Sequence, residues 1–223
     1  MPSIETGKRV YALWARHLGA YTLMTRAVLL GRDRGLRDRA VEMLRLRDGQ
    51  VVLDLACGPG SNLPRLERRI GAGGSVVAFD YSDEMLHRVR EAALPHGWTN
   101  VATVQGDAAR LSLEEGSIDA ALCTLGLSAM PDPQAAIREV HRCLKPGGRF
   151  AVVDVKLFQG RWQVLNPVAL AVFVPTTNWN VAVDLIATMR DVFGNVMGAK
   201  LNRGSAFLAV SRKNADRLME ISE

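Results

Sequence analysis

The stretch Val51-Val52-Leu53-Asp54-Leu55-Ala56-Cys57-Gly58-Pro59-Gly60-Ser61-Asn62 decides the fold. Val51 to Leu55 is a short apolar run, the pattern of a strand buried on both faces in a parallel sheet. Ala56 to Asn62 reads as a glycine-rich turn, and a helix is predicted from there to about Ile70, ended by Gly71-Ala72-Gly73-Gly74. A strand, a glycine turn and a helix in that order bring backbone N–H groups close to a ligand. Dinucleotide-binding folds place Gly-x-Gly-x-x-Gly at this point. Here Gly58-Pro59-Gly60-Ser61-Asn62-Leu63 lacks the third glycine. Asp54 stands at the end of the strand, where a carboxylate repels a pyrophosphate and favours a ligand that carries positive charge.

The same rhythm continues on the C-terminal side. Ser75–Asp80, Val101–Gln105, Ile118–Thr124 and Arg149–Val155 read as strands. Between them run a helix capped by Ser82 and one opened by Pro133 and stopped by Lys145-Pro146-Gly147-Gly148. Strands alternating with helices at this spacing predict an α/β sheet with helices on both faces. Two further strands, Val196–Lys200 and Ala206–Ser211, close the pattern after a helix expected over about Asn180–Phe193, with Thr176, Thr177 and Asn178 as its capping candidates. Asp80, at the end of the second strand, is placed to accept two hydrogen bonds from a ribose diol. Asp107 follows the third strand and is placed to accept from an adenine amine, with the backbone of Ala108 beside the ring and Met85 against its face. S-adenosylmethionine satisfies this set: it has a sulfonium and an ammonium, a ribose and an adenine, and no phosphate.

Of 223 residues, 48% are hydrophobic and 23% charged, which suits a globular domain and excludes wholesale disorder. Cys57, Cys123 and Cys143 have neither disulfide-framework nor metal-site spacing, and His17, His87, His96 and His141 fall in no ligand pattern, so no metal is expected. The cysteine usage predicts a reduced, cytoplasmic setting. No apolar run is long enough to cross a bilayer, and Met1–Glu5 has no secretory character. The net charge of +5 is uneven: residues 1–47 hold ten Lys/Arg against four Asp/Glu. That segment seeks an anionic partner, or is a solvated basic face.

The motifs Asp54-Leu55-Ala56-Cys57-Gly58-Pro59-Gly60, Phe79-Asp80-Tyr81-Ser82, Gly106-Asp107-Ala108, Ile118-Asp119-Ala120 and Leu144-Lys145-Pro146-Gly147-Gly148 resemble, in order, those of class I S-adenosylmethionine-dependent methyltransferases. The resemblance covers about residues 50–155. It implies a Rossmann-like, mostly parallel seven-stranded sheet with a reversed last strand. It also implies a donor site built from Tyr21, Asp54, Ala56, Gly58, Gly60, Asn62, Asp80, Tyr81, Met85, Asp107, Ala108, Thr124 and Leu125. The finer likeness is to quinone-biosynthesis C-methyltransferases and bacterial phospholipid N-methyltransferases. It rests on Tyr11, Tyr21, the run Leu125-Gly126-Leu127-Ser128-Ala129-Met130-Pro131-Asp132 and the apolar segment after the fifth strand. The quinone enzymes usually carry Gly-Leu-Arg-Asn where this chain has Gly126-Leu127-Ser128-Ala129, a departure that favours the phospholipid enzymes.

Three parts follow from this reading: a helical lid over 1–47, a methyltransferase domain over 48–213 with an apolar acceptor-side segment at 157–180, and a tail over 214–223. Residues 8–30 read as one amphipathic helix. Val10, Leu13, Trp14, Leu18, Tyr21 and Met24 line one face, with Lys8, Arg9, Arg16 and Arg26 flanking it. Such a helix serves as a lid, as a contact with anionic lipid, or as both. The segment Trp162–Pro175 reads either as a helix buried on the sheet or as the wall of a site for an acyl or prenyl chain. The acceptor expected on these grounds is the amine of phosphatidylethanolamine, methylated by a peripherally membrane-associated enzyme; a quinone precursor or another small amphiphile is the alternative. His17, Tyr21 and Asp132 are the candidate proton acceptors or cation-π partners, and Trp179 and Arg190 the candidate head-group contacts. A nicotinamide-dependent oxidoreductase is disfavoured by Asp54 and the missing glycine. A nucleic-acid methyltransferase lacks its Asn/Asp-Pro-Pro-Tyr/Phe signature after the fourth strand, so no nucleic-acid partner is expected. A non-catalytic membrane-binding module is disfavoured by the intact Asp54, Gly58, Gly60 and Asp80.

Overall fold

The computed structural model describes residues 3–214. Strands β1 (Val51–Leu55), β2 (Ser75–Asp80), β3 (Val101–Gln105), β4 (Ile118–Thr124), β5 (Leu144–Val155), β6 (Met197–Leu201) and β7 (Ala206–Arg212) form one sheet, ordered β3-β2-β1-β4-β5-β7-β6. β1 to β5 pair in parallel, and β7 runs antiparallel to both β5 and β6. This is the Rossmann-like sheet with a reversed last strand. In-register pairing of Asp54 with Ala78 and of Asp80 with Gln105 brings the carboxyl ends of β1, β2 and β3 to one edge. That edge is where open α/β sheets bind ligands.

The two-residue alternation of the strands divides the core into two layers. Val52, Val76, Ala78, Leu122, Ala151 and Val153 face helices α3 (Asp33–Leu44), α4 (Leu63–Ile70) and α5 (Asp83–Ala93). Leu53, Leu55, Phe79, Cys123, Phe150 and Val152 face α6 (Pro133–Cys143) and α8 (Leu185–Phe193). α3 lies on the sheet through Leu36, Ala40, Val41 and Leu44. The part of the N-terminal segment that stands over the carboxyl edge is therefore α1 (Ile4–Arg16) and α2 (Leu18–Val28).

Two local expectations are corrected, and one left open is decided. The helix expected over 8–30 breaks at His17, whose φ and ψ are −128° and 54°. In a continuous helix the Ala15 carbonyl would accept from Gly19; here Arg88 Nε of α5 donates to it at 3.0 Å, and Trp14 Nε1 anchors the end of α1 to the Thr176 carbonyl at 2.8 Å. The final helix begins at Leu185 rather than Asn180, because Asp184 is its cap, its Oδ1 accepting from the N–H groups of Ile186 and Ala187. Thr176 and Thr177 instead bond back to carbonyls of α7 (Asn166–Thr177), which Asn178 ends in the left-handed conformation. α7 does not lie buried on the sheet. Ala169 is its buried residue, while Val168 and Val172 are exposed. The tail expected over 214–223 lies, beyond Asn214, outside the described residues.

Gly126, in the turn after β4, has an ordinary φ of −120°, so its role is steric. A Cβ there would fall 2.6 Å from Ala56 Cβ and 2.9 Å from Cys123 Sγ. Gly126→Ala is expected to destabilise the fold by about 1–3 kcal/mol, because both neighbours belong to strand ends that cannot yield. A melting curve unchanged from the parent would contradict this.

Candidate donor and acceptor sites

At the end of β1 the chain turns through Ala56 (φ +50°), Gly58 (+54°) and Gly60 (+83°). The turn is tied to the end of β2. Cys57 N–H donates to the Phe79 carbonyl at 3.1 Å, and Gly58 N–H to Asp80 Oδ2 at 2.9 Å. Asp80 Oδ1 accepts from Ser82 N–H at 3.0 Å. Each Asp80 oxygen therefore fixes one turn and keeps a lone pair free for a ligand. Burial pushes this carboxyl up to about 6, against the opposing pull of those N–H groups.

Asp54 lies deeper and is fully buried. Its Oδ1 accepts from Asn62 Nδ2 at 2.8 Å, and its Oδ2 is buried with no hydrogen-bond partner. Burial pushes Asp54 up to about 7. Asn62 also donates to Thr124 Oγ1 at 3.1 Å, and its Oδ1 accepts from Arg37 at 2.8 Å. Arg37 donates to Thr124 as well. This guanidinium, from α3, is buried, and Asp54 and Arg37 flank Asn62 with opposite charges.

α1 and α2 close over these groups. Tyr11, Tyr21 and Tyr81 meet edge to face, with ring centroids 6.5 Å apart for Tyr11–Tyr21 and 5.9 Å for Tyr11–Tyr81. A Cβ on Gly58 would lie 3.4 Å from Tyr21 Oη, so this ring packs directly on the turn. Burial pushes the Tyr21 phenol up to about 12, which keeps it a proton donor rather than a base at neutral pH. Beside the turn, on the side where the sequence places a nucleoside, is a small pocket lined by Ala56, Phe79, Asp80, Tyr81, Asp107, Ala108 and Asp132. On the other side of Tyr21 lies a partly open cavity. Its walls are Tyr11, Tyr21, Met24 and Val28 of the lid, Leu125, Ser128 and Ala129 after β4, Val155, Lys156 and Phe158 after β5, Ala169 and Phe173 of α7, and Trp179.

Tyr21, Ala56, Asp80, Tyr81, Asp107, Ala108 and Leu125 stand on the walls of these two spaces, with Trp179 on the far wall; Asp54, Asn62 and Thr124 form a buried network that lines neither space, and Gly58 and Gly60 shape the turn without lining either. Met85 is not among them: it is fully buried in the first turn of α5 and lines neither pocket. Asp107 is exposed, and its Oδ1 accepts from Ala109 N–H at 2.9 Å. Asp132 sits at the mouth of the nucleoside pocket, where it caps α6 by accepting from Ala135 N–H, so it is not in the acceptor cavity. His17 is an exposed residue at the α1–α2 break, and Arg190 is exposed on α8; neither lines either space. The sequence reading missed Arg37 and Lys156. Arg37 shares the inward stripe of α3 with Val41 and Leu44, at steps of four and three, a position where a buried charge signals a built site. Lys156 has no such signal, as it follows β5 at the start of an irregular segment.

These residues fit S-adenosylmethionine on grounds visible here. The orphaned Asp54 Oδ2 matches an ammonium, Arg37 a carboxylate, and Asp80 a ribose diol. Residues 52–148 match a family described as a methyltransferase domain. A ubiquinone/menaquinone biosynthesis C-methyltransferase of Methylococcus capsulatus is 34% identical over 155 residues, 69% of this chain and 62% of that protein. A 2-phytyl-1,4-naphtoquinone methyltransferase of Nostoc punctiforme is 32% identical over 146 residues, 65% of this chain and 64% of that protein. The chain thus spans somewhat less than two thirds of the length of these relatives. A solved S-adenosylmethionine-dependent methyltransferase of Aquifex aeolicus shares the fold, with a TM-score of 0.61 at 19% identity over 79% of this chain and 89% of its own. The chain contains a class I S-adenosylmethionine-dependent methyltransferase domain, homologous to quinone-biosynthesis methyltransferases.

Proposed function

We propose that the protein moves a methyl group from S-adenosylmethionine to a small amphiphile of the quinone-precursor class. The observation that carries this reading is the largely apolar cavity that meets the donor side at Tyr21 and Leu125. The donor supplies an electrophilic methyl on sulfur. Asp54 and Arg37 would hold its amino-acid end and Asp80 its ribose, while Tyr21 and the lid exclude water. Methyl transfer needs the reacting atoms in line and dry, so positioning and desolvation provide most of the rate.

Phosphatidylethanolamine is the weaker reading. Its amine enters as an ammonium, and among the described residues no carboxylate lines the cavity, whereas Lys156 does. The curated relatives named above also act, by their names, in quinone biosynthesis. A lipid-surface location remains part of the proposal, since Leu13, Leu23, Val168 and Val172 stand exposed on the lid and α7, the elements that wall the cavity. Among the described residues no helix is long and apolar enough to cross a membrane.

The test is transfer of labelled methyl from S-adenosylmethionine to reduced 2-prenyl-1,4-naphthoquinones in vesicles, beside phosphatidylethanolamine vesicles with and without anionic lipid. Label is expected on the quinol. Label on phosphatidylethanolamine alone would overturn this reading and restore the phospholipid one.

A further inference from the structure

Among the described residues, Lys156 is the one charged side chain on the wall of the acceptor cavity. The hydroxyls of Tyr11, Thr25, Ser128, Thr177 and Ser205 also reach that wall, but each already donates inside the protein: to the carbonyls of Thr177, Thr22, Phe173 and Asn202, and in the case of Ser128 to Asp154 Oδ1 at 2.5 Å. Asp154 itself is fully buried behind Ser128 and spends its oxygens on Ser128 and Val155. Among the described residues the unspent donors in the cavity are those of Lys156, Tyr21 and Trp179, and of these Lys156 alone brings charge.

Among the described residues Lys156 makes no ion pair, although Asp184 attracts it at longer range. Asp184, the carboxylate whose charge Lys156 feels, caps α8 and makes no ion pair with it. Lys200, on β6, adds a second positive charge nearby and donates to Gln159. Partial burial, with the repulsion of Lys200, lowers the Lys156 pKa from its usual value. Lys156 stands between this space and the groove that holds Asp184, and a cation without an ion-pair partner on the wall of an apolar space favours an anionic guest.

We infer that the acceptor binds as an anion, with an ionised hydroxyl oxygen paired to Lys156 Nζ while its apolar body fills the space between the lid and α7. This rests on the cavity being the acceptor site. An ionised ring hydroxyl also enriches the adjacent ring carbons in electrons, so the same contact that selects the acceptor selects its reactive form. Lys156 is in this sense a positioning residue.

The experiment compares two ligands of nearly one shape, 2-hydroxy-1,4-naphthoquinone, which is ionised at neutral pH, and 2-methyl-1,4-naphthoquinone, which has no ionisable hydroxyl. Binding to the full chain with S-adenosylhomocysteine present is measured by calorimetry. The hydroxy compound is expected to bind about tenfold more tightly, the order expected of one hydrogen bond to a charged group. Lys156→Met should bring the ratio close to one, and Lys156→Arg should restore it. S-adenosylhomocysteine affinity should stay constant in all three proteins, which reports that the variants are folded. A preference unchanged in Lys156→Met, with both compounds bound, would overturn the role of Lys156 and leave the cavity reading standing. Failure of both compounds to bind the parent would overturn the two together.

Discussion

Asp54→Asn is expected to weaken S-adenosylhomocysteine binding about 100-fold or more. The asparagine can still accept from Asn62, as Asp54 Oδ1 does at 2.8 Å. It cannot offer a negative charge to a buried ammonium, and stripping one partner from a buried charge pair removes about 3–5 kcal/mol. The parent protein should show the same requirement through pH. Burial holds Asp54 at about 7 in the free protein, so it is largely protonated below that pH and must lose its proton before pairing with an ammonium. Donor affinity should therefore fall as pH drops below 7, by up to about tenfold per unit for one linked proton. The fall should steepen below the Asp80 value of about 6. In Asp54→Asn the first of these steps disappears. The stability of the free protein carries the opposite sign. A carboxyl raised by folding favours the native state at low pH, and that contribution is lost as pH rises from the ordinary carboxylate range through about 7. At pH 8 the unliganded variant should melt no lower than the parent. Calorimetric titrations between pH 5.5 and 8.5, with thermal melts in the same buffers, test both statements. Parent-like affinity in the variant would remove Asp54 from the donor site.

The pattern of the sheet was legible because its central strands β1, β2, β4 and β5 are largely buried and the turns carry their own punctuation, whereas the edge strand β6 is exposed. Val51–Leu55 and Ser75–Asp80 leave little choice but parallel pairing, and Ser82 and Pro133 mark the starts of their helices. The donor carboxylates were legible for a related reason, since an acid at the end of a buried strand must face a ligand or a cap. Asp54 and Asp80 stand at the ends of β1 and β2 beside the turn, whereas Asp132 lies eight residues beyond β4 and caps α6, which only the path of that helix reveals. What stayed hidden depends on contacts distant in sequence. The break at His17 is set by Arg88, 73 positions from the carbonyl it captures. α7 is apolar on all sides, so its periodicity cannot say which face meets the cavity, and its place over the site comes from α1 through Trp14 and Thr176.

Arg37 joins these two kinds of information and carries the second large effect. Its position on the inner stripe of α3 is local, but its partners Asn62 and Thr124 come from the turn after β1 and the end of β4. Arg37→Met replaces the guanidinium with a shorter apolar chain. It leaves Asn62 Oδ1 without its donor and Asp54 without its nearby cation. A loss of about 2–4 kcal/mol in stability is expected from the broken buried network. Donor affinity should fall about 100-fold, because the carboxylate at the donor's amino-acid end loses its partner. A third consequence separates this account from simple destabilisation. Arg37 draws the Asp54 carboxyl downward against burial, so its removal must raise Asp54 further. Whatever donor binding survives in Arg37→Met should then fall away at a higher pH than in the parent. Arg37→Lys, which keeps the charge without the planar fork, should leave that midpoint close to the parent's while still weakening binding. Equal pH midpoints in Arg37→Met and the parent, measured on folded protein, would show that Arg37 braces the turn without sharing in the electrostatics of the donor site.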